Sequence, residues 1–261
     1  AKGFSPQNAN VTIAGNINED NAIDVFKVLE SKWKETDISV PLPNKFNSLS
    51  SSKVYFVDFP GAKQSEIRIG STGLAFTDPD YFKATVMNYK LGGSFNGIVN
   101  LILREEKGYT YGARTTFTGS DFPGYFVASA GVQSDATLES AQIFRDEMIK
   151  YRNGISTEDL QFTKDALIKS NALRYETIGA LRGMLSQIAW YNLPFDYVKD
   201  QERQISDMTL EQHKTLAQKY IHPDKMIYLI AGDKATQMEK LKELGFGDPI
   251  LLDKDGNIQS N

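Results

Sequence analysis

The spacing of apolar and polar residues along the chain predicts both strands and helices. In Ser65–Leu74 apolar and polar side chains alternate, which is the pattern of a strand with one buried face. The predicted strands are Val54–Val57, Ser65–Leu74, Tyr111–Thr118 and Tyr125–Val132, the last two forming a hairpin. Helices are predicted where apolar residues recur every three or four positions or where a capping residue begins a run. Their ranges are Glu19–Trp33, Pro79–Lys90, Phe95–Arg104, Asp135–Arg152, Ser156–Tyr175, a run from Thr177, and Thr209–Tyr220.

The order of these elements indicates the fold class. Two strands are followed by two helices, a second pair of strands and several helices. The strand Lys225–Asp233 and a helix over Ala235–Leu244 come last. Because the strands and helices do not alternate one by one, the sequence predicts an α+β fold and not an alternating parallel-sheet protein.

The start of the chain repeats the pattern of its end. Asn10–Gly15 is a short β-type run that ends in Gly and leads into a helix, as Lys225–Asp233 does. Repeated strand-helix endings are typical of duplicated domains, and the first ending has no domain in front of it. We therefore predict that residues 1–36 are the tail of a preceding domain, 37–52 a linker, and 53–261 one complete domain. An unrelated strand-helix unit packed on a single core remains an alternative.

The composition narrows the classes of function. The chain has 261 residues, 41% hydrophobic and 24% charged, as one large domain or one domain plus a fragment would have. A net charge of −4 without a dense stripe of Lys or Arg argues against a nucleic-acid surface. No apolar run is long enough to span a bilayer, so no membrane span is predicted.

The residue types that the sequence lacks exclude several kinds of catalytic site. There is no cysteine, and therefore no disulfide, thiolate nucleophile or Cys-ligated zinc. His213 and His222 are the only histidines, and their spacing cannot form His-x-x-Glu-His or His-Glu-x-x-His. We expect neither to bind metal, and a Ser-His-Asp arrangement has no support. The chain is predicted to hold no metal and no other cofactor.

The stretch Leu103–Gly112 contains the candidate chemistry. Arg104 falls near the end of a predicted helix and Tyr111 opens a predicted strand. A tight crossing at Gly108 could aim the guanidinium and the phenol at one point. Arg offers five fixed donors and Tyr one more, so the pair can hold a peptide carbonyl. A charged run at a helix end is more often a solvated face, and the residues alone leave that interpretation open.

The motif Leu-Arg-Glu-x-x-Gly-x-x-Tyr over 103–111 resembles the second-half signature of the pitrilysin and insulysin family of zinc metallopeptidases, whose zinc motif is the inverted His-x-x-Glu-His. Leu-Gly-Gly-x-Phe at 91–95 precedes it, as in that family. The resemblance covers roughly residues 5–245. It implies a metallopeptidase-like α+β domain with a mostly antiparallel sheet covered by helices, preceded by the terminal strand-helix unit of another such domain.

The resemblance also implies a function. Arg104 and Tyr111 would donate hydrogen bonds to the substrate carbonyl and the transition state, as the site residues of the half without zinc. Zinc would come from another domain of the same protein or from a partner subunit. The substrate would be a peptide or an unfolded polypeptide, and this chain alone would be inactive. The alternatives are a non-catalytic binding or assembly subunit of the same fold, and an unrelated α+β module.

The start of the chain bears on the location of the protein. Ala1-Lys2-Gly3-Phe4 has neither an initiator Met nor a signal-peptide core, which predicts a processed or excised piece. The chain is expected to be soluble, with a periplasmic or other extracytoplasmic location favoured over the cytoplasm. No nucleic acid is expected as a partner.

Overall fold

The computed structural model describes residues 5–36, 38 and 49–259, and most of the predicted linker 37–52 lies outside them. The chain divides into two compact units. One consists of Ala1–Lys45 and Ala166–Arg203, and the other of Phe46–Asp165 and Gln204–Asn261.

The second unit is built on a six-stranded sheet in the order β3-β4-β2-β5-β1-β6. Its strands are β1 Lys53–Asp58, β2 Gln64–Thr72, β3 Thr110–Thr118, β4 Tyr125–Gln133, β5 Ile227–Gly232 and β6 Ile250–Leu252. Strand β1 runs parallel to β5 and β6, and the other neighbouring pairs are antiparallel. The α+β class with a mostly antiparallel sheet is thus confirmed, and so is the hairpin of β3 and β4.

Nine α-helices are formed by the described residues. They are α1 Glu19–Lys32, α2 Tyr81–Asn88, α3 Ile98–Asn100, α4 Thr137–Tyr151, α5 Thr157–Arg174, α6 Ile178–Tyr191, α7 Tyr197–Asp207, α8 Leu210–Tyr220 and α9 Lys234–Gln237. Two π-helical turns follow α2 and α3, namely π1 Tyr89–Gly93 and π2 Leu101–Glu106. Of the helices in the described part of the chain, none combines the length and apolar character needed to cross a bilayer.

One face of the sheet is buried under helices and the other is open. Ile67 and Ile69 of β2 are fully buried, whereas Arg68 between them keeps about half of its side chain exposed. Helix α4 packs on β2 and β4 and contributes the fully buried Phe144 and Met148. Because side chains alternate along a strand, a register slip of one residue would bring Arg68 into this core. The alternation in the sequence therefore determines which face the helices cover.

Three predicted boundaries differ from the structure. The helix expected from Pro79 begins at Tyr81, because Asp78 accepts the backbone N–H of Asp80 and its carbonyl accepts that of Tyr81. The helix expected over Phe95–Arg104 is α-helical only at α3 and continues as π2 to Glu106. The helix expected over Ala235–Leu244 is split into α9 and a 3-10 turn, Glu239–Leu244.

The strand predicted over Asn10–Gly15 is absent from the described residues. A strand requires a neighbour for its backbone hydrogen bonds, and no described strand pairs with this run. Val11 and Ile13 instead line a shallow groove beside the apolar side of α1. The helix expected at Glu19–Trp33 does form, as α1.

A buried polar cluster connects α2, α4 and α8. The Tyr151 hydroxyl donates to the carbonyl of Met87 at 2.6 Å. His213, which α8 carries as the sequence predicted, places Nε2 3.0 Å from that hydroxyl and 3.2 Å from that carbonyl. Because the hydroxyl proton is committed to Met87, Nε2 must carry the ring proton and donate it. Burial lowers the pKa of His213 from 6.5 to about 4.

His213 should make stability depend on pH. Above its usual pKa of 6.5 the imidazole is neutral whether the chain is folded or unfolded. As the pH falls from 6.5 towards about 4, the unfolded chain binds a proton that the folded chain does not. The free energy of unfolding should therefore decrease across this window, by up to about 3 kcal/mol from this group.

Urea unfolding at neutral pH and near the lower end of this window measures that decrease. His213→Gln removes the titrating group, so it should lose less stability on acidification than the unmodified protein. His222→Gln keeps His213 and serves as the matched control, which should lose as much as the unmodified protein. Equal losses in His213→Gln and the unmodified protein would contradict the prediction.

Candidate functional site

Arg104 and Tyr111 lie on either side of a tight reversal. Turn π2 ends at Glu106, and the chain reverses at Gly108, whose φ of +66° is in the left-handed region that favours glycine. The backbone N–H of Tyr109 then donates to the carbonyl of Leu103 at 2.9 Å. Strand β3 begins directly after the reversal, so the predicted crossing at Gly108 is present.

Tyr111 is held out from the sheet by a β-bulge. Thr110 is paired with Val132 and Ala113 with Ala130, so β3 has one residue more than β4 over this step. The Thr110 hydroxyl donates to the carbonyl of Gly131 at 2.7 Å, which fixes the start of the bulge. The Tyr111 side chain is 91% exposed as a result. A phenol held in this way is available to an external hydrogen-bond acceptor.

Arg104 is placed against an aromatic ring. Its guanidinium carbon lies 4.5 Å from the centre of the Phe95 ring, a stacking geometry that restricts the long side chain. Nη1 lies 3.2 Å from a carboxylate oxygen of Glu105, but it is buried and has no hydrogen-bond partner among the described residues. Arg104 therefore keeps an unused donor next to Phe95.

Phe95 and Tyr111 line the same groove, whereas Arg104 is not among its described lining residues and lies against the Phe95 ring. This Tyr111 groove has a volume of about 630 Å³. Its other described lining residues include three charged side chains on the open face of the sheet, Glu66, Arg68 and Arg114. A groove of this size can accept a few residues of an extended peptide.

Two buried asparagines attach the helical segment to β3. The Asn88 amide donates to the carbonyl of Thr115 at 2.9 Å and accepts from its hydroxyl at 2.6 Å. The Asn100 amide donates to the carbonyl of Phe95 at 2.7 Å, and its oxygen accepts the backbone N–H of Ala113 at 2.9 Å. Asn100 therefore fixes the residue before π2 to the strand that presents Tyr111.

Glycines permit this close approach. A Cβ atom on Gly92 would lie 2.7 Å from the backbone nitrogen of Thr115 and 2.7 Å from a methyl of Val99. A Cβ atom on Gly97 would lie 2.7 Å from the Cα of Gly92. Real Cβ atoms do not approach other atoms so closely, so a larger residue would push π1 away from β3. Gly92 and Gly97 thus have a packing role.

Glu139, in the first turn of α4, holds the reversal from outside. Its two carboxylate oxygens each accept a hydrogen bond at 2.6 Å, one from the Lys107 ammonium and one from the Tyr109 hydroxyl. The hydrogen bond from Lys107, followed by that from Tyr109, lowers the pKa of Glu139 below its usual value. The same carboxylate raises the pKa of Lys107. This pair is exposed, so it orients the loop and adds little stability.

Sequence reasoning missed Asn88, Asn100 and Glu139. An asparagine inside a helical pattern is a signal worth following, because its side chain competes with the backbone and often bonds elsewhere. Asn88 and Asn100 were both such residues. Glu139 resembled any other acidic residue in a first helical turn, and nothing in the sequence distinguished it.

Neither histidine fits a zinc centre. His213 is 1% exposed and its Nε2 is bonded within the core. His222 receives a hydrogen bond from Arg152 on Nδ1 at 2.8 Å, and its Nε2 lies 3.0 Å from the carbonyl of Lys219. Within residues 5–36, 38 and 49–259 no group of three or more Asp, Glu or His side chains could hold a metal ion. No step of a reaction can therefore be assigned to a metal bound by these residues.

Comparison with known proteins identifies a family. The model of the family described as "Peptidase M16 inactive domain" matches residues 1–167. An uncharacterized zinc protease of Streptomyces coelicolor is 25% identical over 196 residues, which are 72% of this chain and 43% of that protein. The chain thus spans less than half the length of this curated relative.

Solved structures show the same fold. A peptidase M16 inactive domain from Pseudomonas fluorescens superposes with a TM-score of 0.74 at 24% identity, over 84% of this chain and 52% of that one. A chain of complex III2 from Candida albicans gives a TM-score of 0.64 at 15% identity, over 84% of this chain and 53% of that one. At these identities the likeness is one of fold.

The contact between π1 and β3 can be tested with a methyl group. Gly92→Ala should lower the free energy of unfolding by about 1 to 3 kcal/mol, because the added Cβ has no space. Gly183→Ala is the matched control, since no heavy atom lies within 4 Å of its Cβ position. Gly183 lies inside α6, so Gly183→Ala should leave the free energy of unfolding unchanged or raise it by up to about 1 kcal/mol. Equal effects of the two, measured by urea unfolding, would show that Gly92 is not confined.

Proposed function

The chain belongs to the family of peptidase M16 inactive domains, and from this premise we propose that it is the substrate-clamping half of a zinc-dependent endopeptidase. Membership in a family described as inactive implies that the chain holds no catalytic zinc of its own. The zinc centre would lie in another domain of the same protein or in a partner subunit. The observation that supports this most is the Tyr111 phenol, 91% exposed on a fixed bulge beside a groove.

Arg104 and Tyr111 provide hydrogen-bond donors for a peptide carbonyl. A carbonyl oxygen gains negative charge when its carbon is attacked by water, so donors aimed at that oxygen bind the transition state more tightly than the substrate. One such donor is worth about 2.7 to 4 kcal/mol. The stacking on Phe95 restricts the Arg104 side chain, and the bulge sets the backbone position from which Tyr111 projects, which avoids part of the entropic cost of orienting the donors.

Residues 1–36 are proposed to complete a preceding domain. Helix α1 buries none of its residues, although it has the apolar pattern of a core helix. Val25 and Val28, which are three positions apart and so lie on one side of the helix, are 65% and 51% exposed. Apolar side chains grouped in this way are typical of an interface. The run Val11–Ile13, which pairs with no described strand, would then find its neighbour in a sheet of that domain.

A non-catalytic assembly subunit is the second candidate function. The fold likeness to a chain of complex III2 makes this class relevant, since fold does not determine function. The two candidates differ in what Tyr111 does. In an assembly subunit Tyr111 would be an interface contact, whereas in a peptidase half its hydroxyl would donate to the substrate carbonyl.

The proposed role predicts the kinetics of two variants of the complete protein. Tyr111→Phe and Arg104→Ala should each lower kcat for peptide cleavage by roughly a hundredfold or more, because each removes a donor to the transition state. The zinc content should stay unchanged, since neither residue would contact the metal. Both are measured on the purified protein, by steady-state cleavage of a quenched fluorescent peptide and by metal analysis.

Matched controls separate this role from a general disturbance. Tyr55→Phe removes the hydroxyl of a half-buried tyrosine on β1 that lines neither groove, and Arg203→Ala removes an exposed arginine from α7. Both should cleave at nearly the unmodified rate. Unchanged turnover in Tyr111→Phe and Arg104→Ala would disprove the clamping role. A complete protein that binds zinc but cleaves no peptide would favour the assembly subunit.

The proposed interface of α1 predicts a difference in stability. Val25→Asp in the complete protein should lower Tm by several degrees, because it would bury an unpaired carboxylate against the preceding domain. Lys27→Gln, a substitution on the exposed polar side of α1, should change Tm little. Differential scanning calorimetry compares the two. An equally small effect of Val25→Asp would mean that this face stays in water.

A further inference from the structure

A second groove lies on the open face of the sheet, formed by β2, β4 and β5. It has a volume of about 590 Å³. Gly70 is in register with Val127 of β4 on one side and with Ile227 of β5 on the other. Because Gly70 has no side chain, a trough remains between these two apolar neighbours. We call it the Gly70 groove.

The walls of the Gly70 groove are apolar and accessible. Tyr125 and Ile227 are 54% and 41% exposed, and Val127 and Leu229 are half-buried. All four line the groove. An aromatic or aliphatic side chain placed here would bury apolar surface of both the groove and the peptide. Each Å² buried in this way contributes about 25 cal/mol to the binding free energy. The groove is therefore suited to an apolar side chain.

The rim of the Gly70 groove is positively charged. Arg68, Lys219 and Lys225 line it, and no Asp or Glu is among its described lining residues. Arg68 is paired with Glu66 at 2.7 Å and Lys219 with Asp80 at 2.8 Å. Lys225 is exposed and forms no ion pair within the described part of the chain. An anionic group that enters beside Lys225 would gain an unopposed attraction.

Arg68 connects this groove to the candidate site, because it also lines the Tyr111 groove. A peptide in extended form that passes Tyr111 can therefore continue across Arg68 into the Gly70 groove on the same face. From this arrangement we propose that the Gly70 groove is a specificity subsite for peptide substrates, and that it receives an apolar side chain next to an acidic one. This inference rests on the proposed function, since it supplies the substrate class of the same site.

An acidic side chain suits the groove better than a terminal carboxylate. Terminal carboxylates are usually captured by converging backbone N–H groups. Here the charged groups are the ends of long, flexible side chains at the rim. They can adjust their positions to pair with an acidic side chain of the peptide. The apolar walls and the cationic rim together thus select peptide segments in which an apolar residue is adjacent to Asp or Glu.

The test compares the binding of fluorescent peptides to the complete protein after its metal has been removed by a chelator. One peptide contains an aromatic residue followed by Glu, a second has Gln in place of Glu, and a third is the first with an amidated C-terminus. We expect the Glu peptides to bind about fivefold more tightly than the Gln peptide. Lys225→Glu should abolish or reverse this preference. The matched control Lys254→Glu, in an exposed turn near the C-terminus, should keep it.

A second variant tests the apolar walls of the Gly70 groove. Ile227→Ser should weaken the Glu and Gln peptides by a similar factor of about three to five, because it removes apolar contact and no charge. A loss confined to the Glu peptide would contradict the arrangement.

Several results would overturn the inference. Equal affinity for the Glu and Gln peptides would do so, as would a preference that persists in Lys225→Glu or disappears on amidation. If Lys225→Glu instead weakened the association of this half with the zinc-bearing half in sedimentation, the groove would be an interface. A protein that cleaves peptides but binds the Glu and Gln peptides equally would refute the subsite and leave the proposed function intact. A protein that shows the predicted binding preference but cleaves no peptide would support the subsite and refute the proposed function.

Discussion

The geometry of the site depends on the attachment of two helical turns to strand β3 by buried asparagine amides. Asn88 bonds twice to Thr115, and Asn100 bridges the carbonyl of Phe95 and the N–H of Ala113. Buried amides are costly unless both ends are bonded, so these contacts admit one arrangement of π1, π2 and β3. The close approach is possible only because Gly92 has no side chain.

This attachment determines the geometry of the proposed binding surface. Arg104 projects from π2 and is stacked on Phe95, and Tyr111 projects from the bulge of β3. Their relative position is determined by Asn100 and by the reversal at Gly108, which Glu139 holds from the side of α4. The open face of the sheet extends the surface towards Gly70. A preorganised face of this kind can contribute to catalysis through positioning and hydrogen bonding alone.

Parts of this structure could be predicted from the sequence, and other parts could not. Alternation located β1 to β4 within two residues, because one buried face imposes it. The reversal expected at Gly108 is present, and the joint role of Arg104 and Tyr111 stays a prediction. The π-helical turns were not predicted, because the spacing of apolar residues over Pro79–Lys90 and Phe95–Arg104 indicates an α-helix and does not show a local change of helix type. The strand expected at Asn10–Gly15 does not form with any described strand, since a strand requires a partner for its backbone hydrogen bonds.

The position of a bound peptide tests the central claim most directly. A crystal structure of the complete protein with an uncleaved peptide would give the distance from the Tyr111 hydroxyl oxygen to the nearest peptide carbonyl oxygen. The account predicts a hydrogen bond of about 2.7 Å, with the guanidinium of Arg104 directed at the same peptide. A peptide that lies elsewhere, with the Tyr111 hydroxyl in contact only with solvent, would contradict it.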